Sequence, residues 1–169
     1  MTENNIPRMI DMVFDLDGGT LPAAYPFALW AALIRHVPQL AEEKSVGVLP
    51  LRATENSQGV LLPKRAKLVM RLPAKLADLA ASRLAGQQLD ITGNTVRLGA
   101  AKLRPIQPHP TIHAQLVTGA SDEILFTEDI KKQLGELSIT GKLICGRRLA
   151  INGGQKPIQG YSLVLHDLR

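Results

Sequence analysis

Gly141-Lys142-Leu143-Ile144-Cys145-Gly146-Arg147-Arg148 runs through Leu149-Ala150-Ile151 into Asn152-Gly153-Gly154, and the chain returns through Gly160-Tyr161-Ser162-Leu163-Val164-Leu165-His166. Two β-prone segments joined by Asn-Gly-Gly are typical of a β-hairpin. Neighbouring side chains of a strand point to opposite faces, so Arg147 and Arg148 cannot both be buried against one core. The hairpin is therefore either a solvated basic edge that blocks aggregation or a surface for a polyanion.

A second informative stretch lies near the N-terminus, where Asp11-Met12-Val13-Phe14-Asp15-Leu16-Asp17-Gly18-Gly19-Thr20-Leu21-Pro22 precedes Tyr25-Pro26-Phe27-Ala28-Leu29-Trp30. Together with the hairpin, it resembles a type I branch of the CRISPR-associated endoribonucleases that cut repeat RNA into guide RNAs. The resemblance implies metal-independent cleavage, without a cofactor, on the 3′ side of a repeat stem. Attack by a 2′-hydroxyl would leave a 2′,3′-cyclic phosphate and a 5′-hydroxyl, with the product RNA kept bound.

The partners that the resemblance implies are CRISPR repeat RNA, bound as a stem-loop, and other subunits of a type I surveillance complex. One alternative is a non-catalytic RNA-binding subunit of such a complex. A remote alternative is a haloacid-dehalogenase-type phosphatase, because Asp15 and Asp17 are spaced like the two aspartates of that class. An extra glycine separates Gly18 from Thr20, however, and shifts a loop that must meet Mg²⁺ and phosphate together.

The composition narrows the class of protein. The 169 residues are 45% hydrophobic, so the chain can bury a core. Cys145 is the one cysteine, so the chain cannot form an internal disulfide, which suits a reducing compartment. A single cysteine also gives no cysteine–histidine pattern for zinc. The apolar run Leu21–Ile34 holds two prolines and is too short to span a bilayer. We expect a cytoplasmic protein with no membrane partner and no metal site.

Positive charge is concentrated in the middle of the chain. The net charge is +5 and the pI is about 9.6. Residues 63–104 hold nine basic residues and two acidic ones, whereas residues 1–45 hold three and six. Such a local excess favours contacts with phosphates.

The order of predicted elements indicates an α+β fold with tandem ferredoxin-like (RRM-like) units. Residues 1–104 read as strand, helix, two strands, helix and strand; the predicted strands are 9–16, 46–52, 66–72 and a hairpin around residues 89–98, with residues 53–59 as a polar loop. Residues 105–110 form a proline-rich linker. Residues 111–169 repeat the pattern as strand, a helix capped by Ser121, and two strands, which predicts a second unit incomplete at the C-terminus.

Histidine is the usual proton donor and acceptor when RNA is cleaved without a metal. His36 is the first candidate, because the family places its catalytic histidine near the end of the first helix and a helix C-terminus stabilises positive charge. His113 on a strand is the second candidate. Tyr25, at the other end of the first helix, is a candidate to orient a phosphate through its hydroxyl. His109 and His166 are predicted to be structural.

Arginine suits RNA contact through its planar donors and its ability to stack on bases. Aromatic residues make up only 4% of the chain, so base stacking across a sheet is expected to be weak. The predicted RNA-binding residues are Lys142, Arg147, Arg148, Lys64, Arg65 and Lys67.

Overall fold

The computed structural model describes residues 6–152 and 156–169. The chain divides into two compact units, one up to Ile106 and one from Gln107 to Arg169. This division falls within the predicted linker 105–110, although the domain bounds 1–104 and 111–169 stay a prediction. Gly153 and Gly154 of the predicted turn lie outside the described residues.

Unit 1 has the predicted β-α-β-β-α-β order, with short strands added to it. Its elements are β1 (Met9–Asp17), β2 (Thr20–Leu21), α1 (Tyr25–His36), β3 (Gly47–Val48), β4 (Thr54–Asn56), β5 (Gly59–Leu61), β6 (Lys67–Pro73), α2 (Ala77–Leu84), β7 (Gln88–Ile91) and β8 (Asn94–Pro105). Short 3₁₀ helices follow α1 (Pro38–Glu42) and precede α2 (Ala74–Leu76).

The main sheet of unit 1 is antiparallel and has the order β3-β6-β1-β8-β7. The first, second, third and fourth strands of the ferredoxin-like order correspond to β1, β3, β6 and β8, and β7 extends the sheet as an extra edge strand. Side chains of β1 alternate between the two faces of the sheet. Met12, Phe14 and Leu16 are buried on one face, whereas Asp15 and Asp17 are exposed on the other. Both helices cover the apolar face of the sheet, and the opposite face, called the open face below, carries the exposed side chains of Asp15 and Asp17.

The start of α1 follows from proline at its second position, which suits a first helical turn. Leu29, Ala32 and Leu33 turn inward and join the core beneath the sheet. The β7–β8 hairpin has a two-residue turn in which Thr92 and Gly93 both have positive φ, 53° and 82°. This is the geometry that short hairpins prefer.

The prediction that residues 53–59 form only a loop is wrong. The strands β4 and β5 form a hairpin in a small second sheet with the order β2-β5-β4. Gly59 makes this sheet possible, because its φ is +136° and an added Cβ would lie 2.1 Å from the Leu21 carbonyl oxygen. The predicted strand 46–52 is reduced to Gly47–Val48.

Unit 2 consists of β9 (Ile112–Val117), α3 (Glu123–Glu136), β10 (Lys142–Asn152) and β11 (Pro157–His166). Its antiparallel sheet has the order β10-β11-β9, which matches the first three strands of the ferredoxin-like order. The fold is thus the predicted tandem of ferredoxin-like units, of which the second shows the first four elements. Its core is small and contains Phe126, Tyr161 and Leu163.

One local prediction for unit 2 is wrong, and one irregularity was not predicted. The N-cap of α3 is Asp122 rather than Ser121, and its carboxylate accepts the N–H groups of Ile124 and Leu125, both at 3.0 Å. The strand β10 is not regular at the arginine pair, because a β-bulge lies between Cys145 and Arg148. Strict alternation therefore does not hold at Arg147, but both arginines are exposed, which confirms that they are not both buried against one core.

Within the described ranges, no helix combines the length and the apolar character needed to cross a bilayer.

Candidate functional site

His36 is the last residue of α1 and lines a shallow cleft. The helix stops there because the Val37 N–H closes the last turn onto the Leu33 carbonyl (3.0 Å) and Pro38 follows. The strand β7 lies against α1 because Leu89 and Ile91 are buried beneath it. The resulting cleft of about 240 Å³ is lined by Ala32, Arg35, His36, Gln88, Leu89 and Asp90.

The cleft brings a half-buried imidazole together with groups that can bind a phosphate. The Arg35 guanidinium is exposed, and its Nη2 donates to the Asp90 backbone carbonyl at 3.5 Å. The exposed side chain of Gln88 stands at the same cleft as His36. Arg35 was not predicted as a site residue, although its position beside His36 in the last turn of the predicted helix could have indicated one.

Tyr25 lies at the opposite end of α1 from His36. Eleven helical residues correspond to about 16 Å, so these two side chains cannot contact the same phosphate oxygen. The Tyr25 hydroxyl oxygen accepts the Leu51 N–H at 3.0 Å and stabilises the loop after β3. Its proton stays available for donation to another acceptor.

His113, the second candidate, belongs to unit 2 and is exposed on β9. It pairs with Val164 on β11, so it shares one face of that sheet with Val164 and His166. The Nε2 atom of His166 is buried and has no hydrogen-bond partner among the described residues. The Nδ1 atom of His109 lies 2.8 Å from the Thr111 carbonyl oxygen and 3.1 Å from the Thr111 backbone nitrogen, so this ring contacts the backbone of its own loop.

The predicted RNA-binding residues of unit 2 lie on β10. Lys142 is highly exposed and pairs with Asp167, with 3.2 Å between Nζ and Oδ2. Arg148 donates to the side-chain oxygen of Gln159. Arg147 is exposed at the β-bulge.

The predicted RNA-binding residues of unit 1 surround a groove of about 490 Å³ at one end of the open sheet face. Its walls are formed by Asp15, Leu16, Asp17, Lys64, Arg65, Ala66, Lys67, Arg97, Leu98 and Gly99. Lys67 pairs with Asp15, and its hydrogen bond lowers the pKa of the Asp15 carboxyl. Arg97 is a further cation that sequence reasoning missed, because only strand pairing places it opposite Asp17.

These features define a class of proteins in which ferredoxin-like units in tandem carry basic surfaces and a histidine at the end of the first helix. The family model described as Cas6 Crispr matches residues 10–169. The CRISPR-associated endonuclease Cas6 of Myxococcus xanthus is 32% identical over 166 residues, which is 97% of this chain and 72% of that relative. The chain belongs to the Cas6 family.

Solved structures support the fold. A CRISPR-associated protein Cas6 superposes with a TM-score of 0.63 at 12% identity, covering 93% of this chain and 86% of the other. A RAMP protein described as binding different RNA substrates gives 0.64 at 10% identity and covers 92% and 86%. Membership of the Cas6 family leaves the haloacid-dehalogenase alternative without support, and Asp15 is engaged by Lys67.

Proposed function

We propose that this protein is an endoribonuclease that cuts CRISPR repeat RNA to make guide RNAs. The observation that carries the proposal is its membership of the Cas6 family, together with the relative named as an endonuclease. The proposed reaction needs no metal, because the nucleophile is the 2′-hydroxyl of the RNA itself. It leaves a 2′,3′-cyclic phosphate and a 5′-hydroxyl, and the product stays bound in the cytoplasm.

His36 is the proposed general acid. The 2′-oxygen would form the new bond to phosphorus and lose its proton to solvent water, while the His36 imidazole would give a proton to the leaving 5′-oxygen as the bond from phosphorus to that oxygen breaks. Arg35, at the same cleft, would bind the scissile phosphate and stabilise the charge that develops on it. Both side chains belong to the last turn of one helix, so they are held close together.

Tyr25 and His113 have secondary roles in the proposal. The Tyr25 hydroxyl can donate to a phosphate of a neighbouring nucleotide while its oxygen keeps the Leu51 N–H. His113 is the alternative proton donor or acceptor, since its exposed position leaves it accessible to RNA.

Binding of the repeat stem-loop is assigned to Lys142, Arg147 and Arg148, with a further contribution from Lys64, Arg65 and Lys67. All six are exposed. The bulge beside Arg147 frees this side chain from the regular pleat and lets it turn toward a ligand.

The second candidate function is a non-catalytic RNA-binding subunit that keeps the guide RNA in a type I surveillance complex with other subunits. It shares the basic surfaces with the first candidate and differs in the chemistry at His36. Cleavage of a cognate repeat RNA therefore separates the two functions.

The test is single-turnover cleavage of a labelled repeat RNA. His36→Ala should slow cleavage by roughly 10²–10⁴-fold with little change in binding, whereas His109→Ala should cut at the wild-type rate. A repeat with 2′-deoxyribose at the cleaved position should bind and stay intact. If His113→Ala is slow and His36→Ala is not, the site assignment is wrong. If wild-type protein binds its repeat but never cuts it, the non-catalytic function is the correct one.

A further inference from the structure

The outer edge of β7 carries main-chain groups that no neighbouring strand uses. In the part of the chain that the structure describes, β7 is the last strand of the unit 1 sheet and pairs only with β8. Where the two strands meet, the Leu98 N–H donates to the Gln87 carbonyl at 2.9 Å. Bonded and non-bonded pairs alternate in an antiparallel ladder, so the next bonded pair is Leu89 with Val96. The alternate residues of β7 therefore turn their N–H and C=O groups away from β8.

These alternate residues are Gln88 and Asp90, and their main-chain groups lie at the edge of the His36 cleft. Both residues line that cleft. The Arg35 Nη2 atom reaches the Asp90 carbonyl oxygen at 3.5 Å, which agrees with an outward direction for this group. The Gln88 carbonyl and the Asp90 N–H thus form an acceptor and a donor two residues apart on one edge.

An acceptor beside a donor is complementary to two of the four RNA bases. Adenine presents its N6 amino donor next to the N1 acceptor, and cytosine presents its N4 amino donor next to the N3 acceptor. Guanine and uracil reverse this order, because each has a keto oxygen next to a ring N–H. Main-chain groups have fixed positions in a strand, so this edge discriminates between amino bases and keto bases.

A shallow apolar groove beside the cleft can hold the ring of such a base. The groove has a volume of about 660 Å³ and shares Arg35 and Asp90 with the cleft. The rest of its lining consists of Ala28, Ala31, Ile34 and Thr92. Small side chains on the outer surface of α1 leave room for a flat ring, whose burial against them is favourable. Groove and cleft together can hold one nucleotide, with its sugar near His36 and its base beside β7.

We propose that the edge of β7 recognises the base of the nucleotide that follows the cleaved bond and selects adenine or cytosine. The inference rests on the proposed function, in which His36 gives its proton to the 5′-oxygen of this same nucleotide. Cleavage on the 3′ side of a stem leaves that nucleotide unpaired, so its Watson–Crick edge is free. The Gln88 carbonyl accepts from the amino group of the base, and the Asp90 N–H donates to the ring nitrogen.

The test uses repeat RNAs that differ only in the base after the cleaved bond. Single-turnover cleavage by the full chain should be roughly 3- to 30-fold slower with guanosine or uridine than with adenosine or cytidine, which is the cost of one or two lost hydrogen bonds. Inosine, which has the guanine order of groups in place of the adenine order, should be as slow as guanosine. 1-Deazaadenosine, which lacks the N1 acceptor, should also be slow. This series leaves the protein unchanged and so does not depend on the folding of any variant.

A pair of variants isolates the Asp90 N–H. Asp90→Pro removes this group, and proline is tolerated on an edge strand where the N–H points outward. This variant should cut adenosine and 1-deazaadenosine repeats at equal rates. Asp90→Ala is the matched control, because it also loses the hydrogen bond from the Gly93 N–H to the Asp90 carboxylate (2.7 Å) but keeps the main-chain donor. It should retain the preference for adenosine.

Equal wild-type rates with adenosine, inosine and 1-deazaadenosine would overturn the inference and leave the proposed nuclease standing. Loss of the preference in Asp90→Ala would also overturn it, as would wild-type dimers that Asp90→Pro abolishes, since the edge would then pair with a second copy. Affinity for repeats with 2′-deoxyribose at the cleaved position separates the inference from the proposed function. A wild-type protein that cuts no repeat, but binds these repeats more tightly with adenosine than with inosine, would sink the nuclease and keep the base site.

Discussion

Arg71 holds the carboxylate of Asp11 with two parallel hydrogen bonds across neighbouring strands. Its Nε donates to Oδ1 at 2.8 Å and its Nη2 donates to Oδ2 at 3.0 Å. Asp11 is the one charged side chain buried among the described residues, and Arg104 approaches it from the other side at 3.5 Å. Because the three residues belong to β6, β1 and β8, the cluster links three adjacent strands of the sheet.

Replacing this carboxylate should make stability depend less on pH. The Arg71 hydrogen bond, with the charges of Arg71 and Arg104, lowers the pKa of Asp11 from the ordinary value of 3.8. The ionised group therefore stabilises the folded state fully above the unfolded-state pKa, and this contribution is lost as the pH falls through the folded-state pKa. Asp11→Asn should cost about 1–3 kcal/mol at pH 7.

The measurement is urea unfolding of wild type and Asp11→Asn at pH 7 and below pH 3.8. The difference in the free energy of unfolding between the two proteins should be smaller at the lower pH. Asp17→Asn, on the same face of the same strand, is the control and should have little effect on stability. An equal cost of Asp11→Asn at both pH values would contradict the ion-pair explanation.

Gly59→Ala should destabilise unit 1. Its φ of +136° strains any residue with a Cβ, and the added atom would clash with the Leu21 carbonyl oxygen. We expect a loss of about 2–3 kcal/mol. Gly19→Ala in the same region meets no atom within 4 Å and should be nearly neutral in the same thermal unfolding experiment. Equal melting temperatures for the two variants would show that the contact between the added Cβ and the Leu21 carbonyl oxygen does not destabilise unit 1.

Arg147→Ala with Arg148→Ala should weaken binding of the repeat stem-loop. Each lost phosphate contact should lower the salt slope by about one. The control is Lys131→Ala with Lys132→Ala, which removes two exposed cations from α3. Affinity and slope are measured at two or more salt concentrations. If the arginine variant matches the lysine variant, the hairpin is a solvated edge and not an RNA contact.

Cleavage of the repeat should continue in excess EDTA. The proposed nucleophile is the RNA 2′-hydroxyl and the proposed proton donor is His36, so no step of the proposed reaction requires a divalent ion. The rate is measured in single turnover with and without chelator, at constant ionic strength. Loss of cleavage that Mg²⁺ restores would replace this mechanism with a metal-based one.

Local sequence signals were sufficient for the main elements of unit 1. The predicted strands 9–16 and 66–72, the second marked by alternation, lie within one residue of the ends of β1 and β6. Pro26 and Pro38 lie at the two limits of α1 and mark its bounds in the sequence, and with them the position of His36 at the helix end. Such signals depend on neighbours in the sequence, which is why they can be identified before the structure is known.

Other features depend on contacts between residues that are distant in sequence. The polar sequence of the β4–β5 hairpin resembles a loop. It forms strands because β5 pairs with Thr20 and Leu21, which are distant in sequence. A β-bulge in β8 decides which face Arg97 and Lys102 occupy, and no sequence pattern marked it. The cleft at His36 requires β7 to pack beside α1. These features, which could not be predicted from the sequence, bring the residues of the candidate site together.

The position of β1 has a consequence for how the chain folds during synthesis. It is the central strand of its sheet, yet its partners are residues 67–73 and 97–105. The ribosome therefore releases the middle of the sheet long before either neighbour exists, and the Asp11 cluster cannot close until Arg104 has emerged. Pairings this distant in sequence slow folding. A nascent chain halted before β8 should keep the N-terminal strand accessible to chaperones and proteases.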